Sequence, residues 1–156
     1  MIALIDYGAG NLTSVRKALA HLGANVTTPT VPADLTSVSG IIVPGVGNFE
    51  VTDALGPDWR VAIRNHVTRQ RPMLGICVGM QWLFDGSTEA PGHHGLKLLP
   101  GLCCRLTSKP DALEPKVDEA ATSTFQNRPI HLKVPHVGWN SLHLTRRSWL
   151  LDEVDE

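Results

Sequence analysis

Three short apolar runs in this chain, residues 2–5 (IALI), 41–43 (IIV) and 73–76 (MLGI), each stop at a glycine-bearing turn, and helix-length segments separate them. Apolar runs this short, alternating with helical periodicity, predict parallel βαβ units and a three-layer α/β sandwich. After the first run, Leu12, Val15, Leu19 and Leu22 recur at helical spacing, Gly23 stands where a C-cap belongs, and Asn11 or Thr13 can cap the start. Residues 24–28 read as a second strand. Residues 54–69 read as helical, with Pro57 near the start of a second piece and Trp59, Ile63 and Val67 four apart. A further helix begins near Gln81. In a parallel sheet the loops at the carboxyl ends of the strands collect functional groups. The turns at Gly8, Gly45 and Gly75 all lie at such ends, which predicts one site built from three loops.

The second half reads differently. Residues 98–106, 131–134 and 141–144 look like strands, and no helix-length segment separates the last two. That predicts an antiparallel extension at one sheet edge. Residues 108–128 are polar, contain proline and read as a solvated loop insertion. A chain of 156 residues fits one domain, expected over 1–156.

Composition removes several classes of function. The net charge is −1 and the basic residues are scattered, so no nucleic-acid-binding face is expected. The N-terminus has neither a basic n-region nor a long apolar stretch, so neither a signal peptide nor a membrane span is expected. Three cysteines, two of them adjacent, suit neither a disulfide framework nor a zinc ribbon, and the expected setting is a reducing cytoplasm. His93 and His94 lack ligand partners at metal-binding spacing, and the histidines read as loop or surface residues. Of Cys103 and Cys104, one is expected to face the core and the other not. No metal and no cofactor are expected. Gly8-Ala-Gly10 hints at a dinucleotide turn, but Thr13 replaces the third glycine and no acidic residue follows about 20 positions on.

Two turns carry sharper chemistry. Pro44-Gly-Val-Gly47 can expose backbone N–H groups as a nest or oxyanion hole, although an ordinary loop has the same composition. Gly75-x-Cys77-x-Gly79, between an apolar strand and a helical start, matches a nucleophile elbow with cysteine in place of serine. A sharp strand-to-helix turn strains the nucleophile's backbone and needs small residues two positions either side. It also sets the sulfur at a helix N-terminus, where positive potential favours thiolate, and aims the Val78 N–H at an attacked carbonyl oxygen. Cysteine is equally a common buried filler. The segment 135–140 (PHVGWN) combines Trp, His and Asn in a turn, as a recognition loop or a hairpin would.

The segments 5–19 (IDYGAGNLTSVRKAL), 41–49 (IIVPGVGNF), 74–84 (LGICVGMQWLF), 95–101 (GLKLLPG) and 134–140 (VPHVGWN) together closely resemble the class I (triad) glutamine amidotransferases. Among these, they are most similar to the glutaminase subunits of imidazole glycerol phosphate synthases, from histidine biosynthesis. The resemblance implies a flavodoxin-like α/β fold and a cofactor-free reaction. Cys77 would attack the side-chain amide of L-glutamine, giving a glutamyl thioester and ammonia. N–H groups of Val78 and of the Gly45-Val46-Gly47 loop would form the oxyanion hole, that loop reorienting to do so. Gln81 and Glu89 would contact glutamine, with Gly45 beside it. Asn11, Pro135 and Trp139 would face a β/α-barrel cyclase subunit, which receives the ammonia and makes imidazole glycerol phosphate and aminoimidazole carboxamide ribotide.

The departures are specific. The family takes its base and orienting carboxylate from a His-Pro-Glu segment, and no His-x-Glu occurs here. The expectation is a C-terminally truncated chain that is inactive as a glutaminase by itself. Two alternatives share the elbow: another triad amidotransferase branch, or a non-catalytic remnant that binds the cyclase.

Overall fold

The computed structural model describes residues 1–105 together with 138, 139, 141, 143–145 and 151. Met1–Arg105 form one compact unit and Leu106–Glu156 a second. The first contains β1 (Ile2–Leu4), α1 (Leu12–His21), β2 (Val26–Thr27), β3 (Gly40–Val43), α2 (Pro57–Thr68), β4 (Met73–Gly75), α3 (Val78–Gln81), β5 (Gly86–Ser87) and β6 (Leu102–Cys103). Two 3-10 turns, Pro32–Ser37 and Phe49–Ala54, fill the gaps before and after β3.

β1 to β4 form one sheet in the order β2-β1-β3-β4, every pairing parallel. Register sets Leu4 opposite Ile42 and Val43 opposite Gly75, so the three glycine-bearing turns leave the same edge. β3 is buried at all four residues, as a central parallel strand covered on both faces should be. The chain moves outward in one direction from β1 to β2 and in the other from β3 to β4. With right-handed crossovers, α1 and α2 therefore cover opposite faces, and the switch point falls between β1 and β3. Tyr7 and Pro44, at the ends of those two strands, meet there.

The main core lies on the α2 face. Ala3, Ile5, Ile41 and Val43 pack there with Leu35, Val38, Phe49, Leu55, Ile63, Trp82 and Leu96. The expected helix over 54–69 is interrupted: a 3-10 turn ends at Ala54, and α2 restarts with Gly56 as cap and Pro57 in its first turn, where a missing N–H costs nothing. α1 starts on Asn11, whose side chain accepts from the Ser14 N–H (3.1 Å). It ends with Gly23 N–H donating to Ala20 (3.0 Å) and Ala24 N–H to Leu19 (2.9 Å), the paired bonds of a Schellman cap.

Several expectations need revision or fall outside the described residues. The apolar run at 98–106 is not one strand: Leu98 and Leu99 both donate to the Leu83 carbonyl, and only Leu102–Cys103 pair, in parallel with β5. The antiparallel contact among the described residues is a lone bridge between Gly86 and His94. The expected strand 131–134 and the insertion 108–128 lie outside the described residues, as does most of 141–144. His66 is not at the surface. It is buried on α2, its Nε2 is 3.2 Å from the Pro72 carbonyl oxygen, and its Nδ1 has no partner.

Burial pushes His66 below the usual imidazole range and Arg71 adds to this, against the opposing pull of the Pro72 and Leu35 backbone. A histidine with a lowered folded-state pKa binds its proton more readily when unfolded. Stability is therefore full above the unfolded value of about 6.5 and declines as pH falls below it. The urea midpoint of the chain is expected to drop between neutral pH and pH ~5, and His66→Gln to flatten that dependence.

Candidate active site

β4 hands the chain directly to the elbow. The Ile76 N–H donates to the Val43 carbonyl (3.0 Å), and the next residue, Cys77, adopts φ 55° and ψ −115°. α3 begins immediately after it. A non-glycine residue in that region costs roughly 1–3 kcal/mol and persists only where its surroundings leave no alternative. Here they are backbone. A Cβ on Gly79 would lie 2.0 Å from the Val43 carbonyl oxygen, and one on Gly75 would lie 2.5 Å from Met80 Cα. Strand and helix touch through their main chains, so the residue between them has to turn sharply. Its carbonyl then accepts from both Met80 N–H (2.9 Å) and Gln81 N–H (3.0 Å), which closes the turn. The Cys77 side chain is exposed. Buried filler is thus not its situation.

The Pro44–Gly47 loop lies against this elbow. A Cβ on Gly45 would meet Gly79 N at 2.6 Å, Val78 Cβ at 2.8 Å and the Tyr7 hydroxyl at 2.8 Å. The first turn joins through the same point: Tyr7 Oη donates to the Pro44 carbonyl at 2.7 Å, and a Cβ on Gly10 would lie 2.9 Å from Pro44 Cβ. The three turns expected to build one site do meet. Val78 opens α3, so its N–H has no acceptor within the helix. Gly45 is buried, whereas Val46 and Gly47 are exposed, and Gly47 holds φ +94°.

The other residues singled out from sequence spread more widely. Gln81 is the last residue of α3 and partly buried, and its carbonyl accepts from Cys103 Sγ at 3.7 Å. Glu89 reaches back to the end of the oxyanion-type loop, its Oε2 accepting from the Phe49 N–H at 3.2 Å. Asn11 is engaged as the cap of α1. Trp139 is fully exposed in the second unit, and Pro135 lies outside the described residues. Cys103 is partly buried, its thiol pushed up by burial and then by Cys104, while Cys104 is exposed. Among the described residues no group of three or more His, Cys, Asp or Glu side chains could hold a metal ion.

Sequence reading passed over Tyr7. Its phenol is pushed up to about 12, first by burial and then by the charge of Cys77, so it stays protonated and remains a donor across the physiological range. A tyrosine within the glycine-bearing turn after β1 was the available signal. The pair His93–Asp53 was also passed over: Nδ1 lies 2.5 Å from Oδ2, and Arg60 stands 3.7 Å from the same carboxylate. Arg60 in addition donates to the carbonyls of Leu55, His94 and Gly95 and lies 5.3 Å over the Trp82 ring. Together these contacts hold the 93–95 loop to α2 beneath the elbow helix.

A family model for class-I glutamine amidotransferases matches residues 3–149. The subunit HisH of imidazole glycerol phosphate synthase from Desulfitobacterium hafniense is 38% identical over all of this chain and 64% of its own length. The HisH subunit from Methanothermobacter thermautotrophicus is 35% identical, over all of this chain and 68% of its own length. The Arabidopsis thaliana protein described as imidazole glycerol phosphate synthase hisHF, chloroplastic, is 36% identical over 99% of the chain and 23% of its own length. The chain therefore spans about two thirds of the HisH relatives and under a quarter of the plant one. A solved structure described as a glutamine amidotransferase shares the fold at a TM-score of 0.58, with 20% identity over 67% of this chain and 57% of that one.

The steric argument at the elbow is open to direct test. Gly79→Ala drives a methyl group into the Val43 carbonyl and is expected to destabilise the chain by roughly 3 kcal/mol or more. Gly56→Ala, where a Cβ meets nothing within 4 Å and φ is −58°, is expected to stay within about 0.5 kcal/mol of the parent. Denaturant midpoints of the two variants provide the comparison.

Proposed function

From the premise that the chain belongs to the class-I glutamine amidotransferase family, we propose that it is the glutaminase part of an imidazole glycerol phosphate synthase. The observation that carries this is Cys77 itself, exposed at φ 55° between two glycines that admit no side chain. A reactive sulfur held on strained backbone beside unpaired N–H groups is suited to acyl transfer.

In the proposed reaction, Cys77 Sγ adds to the side-chain carbonyl carbon of L-glutamine. The carbonyl electrons move to oxygen, and the N–H groups of Val78 and of Val46 or Gly47 hold the resulting oxyanion. Collapse of this adduct breaks the C–N bond; the nitrogen leaves as ammonia with the proton gained from the thiol. Water then hydrolyses the glutamyl thioester to glutamate and restores the thiol. Gln81 and Glu89 would orient the amino-acid end of the substrate. The ammonia would pass to a β/α-barrel cyclase docked near Asn11, Pro135 and Trp139, yielding imidazole glycerol phosphate and aminoimidazole carboxamide ribotide. Three free thiols suit a reducing compartment such as the cytoplasm. No helix among the described residues is long and apolar enough to cross a membrane.

Carrying the thiol proton to the leaving nitrogen needs a group that accepts it and then donates it, and no His-x-Glu pair occurs within these 156 residues. A non-catalytic, cyclase-binding role is the reading this absence favours as second. Selective alkylation of Cys77 separates them. A chloroketone analogue of L-glutamine is expected to alkylate Cys77, with glutamine protecting it and Cys103 and Cys104 left unmodified, as peptide mass mapping would record. Indiscriminate labelling of all three thiols defeats the glutaminase reading. Ammonia release by the 156-residue polypeptide with a cyclase subunit present is expected to match that of Cys77→Ala. Substantial Cys77-dependent release would show that a base is supplied.

A further inference from the structure

Between the sheet and the elbow the Pro44–Phe49 segment is held at both ends and exposed in the middle. At its start the Tyr7 hydroxyl, 37 residues away in sequence, donates to the Pro44 carbonyl at 2.7 Å. At its end the Phe49 N–H donates to Glu89 Oε2 at 3.2 Å, and the Phe49 side chain is wholly buried in the core. Gly45 is buried against the elbow, where an added Cβ would meet Gly79 N at 2.6 Å and Val78 Cβ at 2.8 Å. Only Val46, Gly47 and Asn48 are exposed. The exposed peptide groups are those on either side of Val46 and Gly47. These carry the N–H groups that the proposed function needs at the oxyanion.

We propose that Tyr7 is a positioning residue for the glutaminase reaction, its hydroxyl anchoring the Pro44 carbonyl so that the Val46 and Gly47 N–H groups are delivered to the substrate oxygen at Cys77. The inference rests on the glutaminase reading. Its geometry is independent of Cys77 reactivity as such. The Pro44 carbonyl is the last fixed acceptor before the loop, and proline has no N–H and a restrained φ, so one hydrogen bond sets the plane of the Pro44–Gly45 peptide. Without it that plane is free to rotate, and every N–H downstream loses its reference. The phenol's hydrogen bond is to the Pro44 carbonyl and not to the sulfur. Its effect should therefore appear in reactions that set an oxygen at the oxyanion position and be missing from those that do not.

Two electrophiles make that separation on the full chain. Iodoacetamide alkylates Cys77 by displacement of iodide at carbon and places no charge on a carbonyl oxygen. The γ-aldehyde analogue of glutamine adds Sγ to its carbonyl carbon, the thiol proton ends on the oxygen, and the reversible thiohemiacetal places that oxygen where the amide oxyanion would sit. Tyr7→Phe keeps the ring and removes the hydroxyl. It is expected to weaken aldehyde binding by about tenfold, a fraction of the loss typical when a whole oxyanion donor is removed, and to leave the iodoacetamide rate unchanged, with the lost hydrogen bond lowering the thermal midpoint by a few degrees at most. Equal aldehyde affinity in Tyr7→Phe and the parent overturns the role of Tyr7 while leaving the glutaminase reading intact. A parallel fall in both reactions overturns it in favour of plain packing. A parent chain that binds the aldehyde no better than does a free thiol overturns both readings.

Discussion

Everything at the candidate site depends on one steric fact: α3 sits main chain against main chain on the ends of β3 and β4. The Val43 carbonyl occupies the space a side chain at position 79 would need. The same closeness forces the sharp turn at Cys77, brings the Gly45 backbone against Val78, and leaves the sulfur at the surface. Small residues are usually cheap to replace on a protein surface. Here they set the distance between layers, and the strain at Cys77 follows from them. The cost of that strain is offset by the packing of Trp82 and Leu96, which anchor the far side of the elbow in the core.

The switch point of the sheet explains why this turn and no other carries the site. Crossovers leave β1 and β3 in opposite directions, so no helix closes the edge between their ends. The turn after β1 and the loop after β3 fill that gap and touch each other through Tyr7 and Pro44. The elbow after β4 approaches from the side. A parallel sheet thus collects three turns without any of them being adjacent in the chain. Among the described residues β4 is an edge strand of this sheet, and its Leu74 is 49% exposed.

Membership of the class-I glutamine amidotransferases and the shape of the site support one another but answer different questions. Relatives named as synthase subunits make the family plain, and the chain covers about two thirds of their length. The geometry shows what these residues have in place: an exposed sulfur on a strained turn, an orphan helix N–H, and a glycine-rich loop held at both ends. The base that would complete a triad has no counterpart in a His-x-Glu pair within the sequence.

Much of this was legible without coordinates. The spacing Gly75-x-Cys77-x-Gly79 after an apolar run has few structural solutions, and the helix ends at Asn11 and Gly23 follow from local hydrogen bonding alone. Short-range patterns also gave β1, β3 and β4 and the parallel sheet, because each strand's burial is written in its own residues. What needed the tertiary structure were contacts between residues far apart in the chain. Tyr7 reaches Pro44 across 37 positions and Glu89 reaches Phe49 across 40, and neither partner marks the other in sequence. His66 lies under the 3-10 turn before β3, and its burial is decided by what packs over it. The run at 98–106 was apolar enough for a strand, yet the Leu83 carbonyl captured its first two N–H groups. Local chemistry determined which turns could bear a nucleophile. Only the packing of sheet on helix decided which other side chains would stand around it, since those distances depend on the whole fold at once.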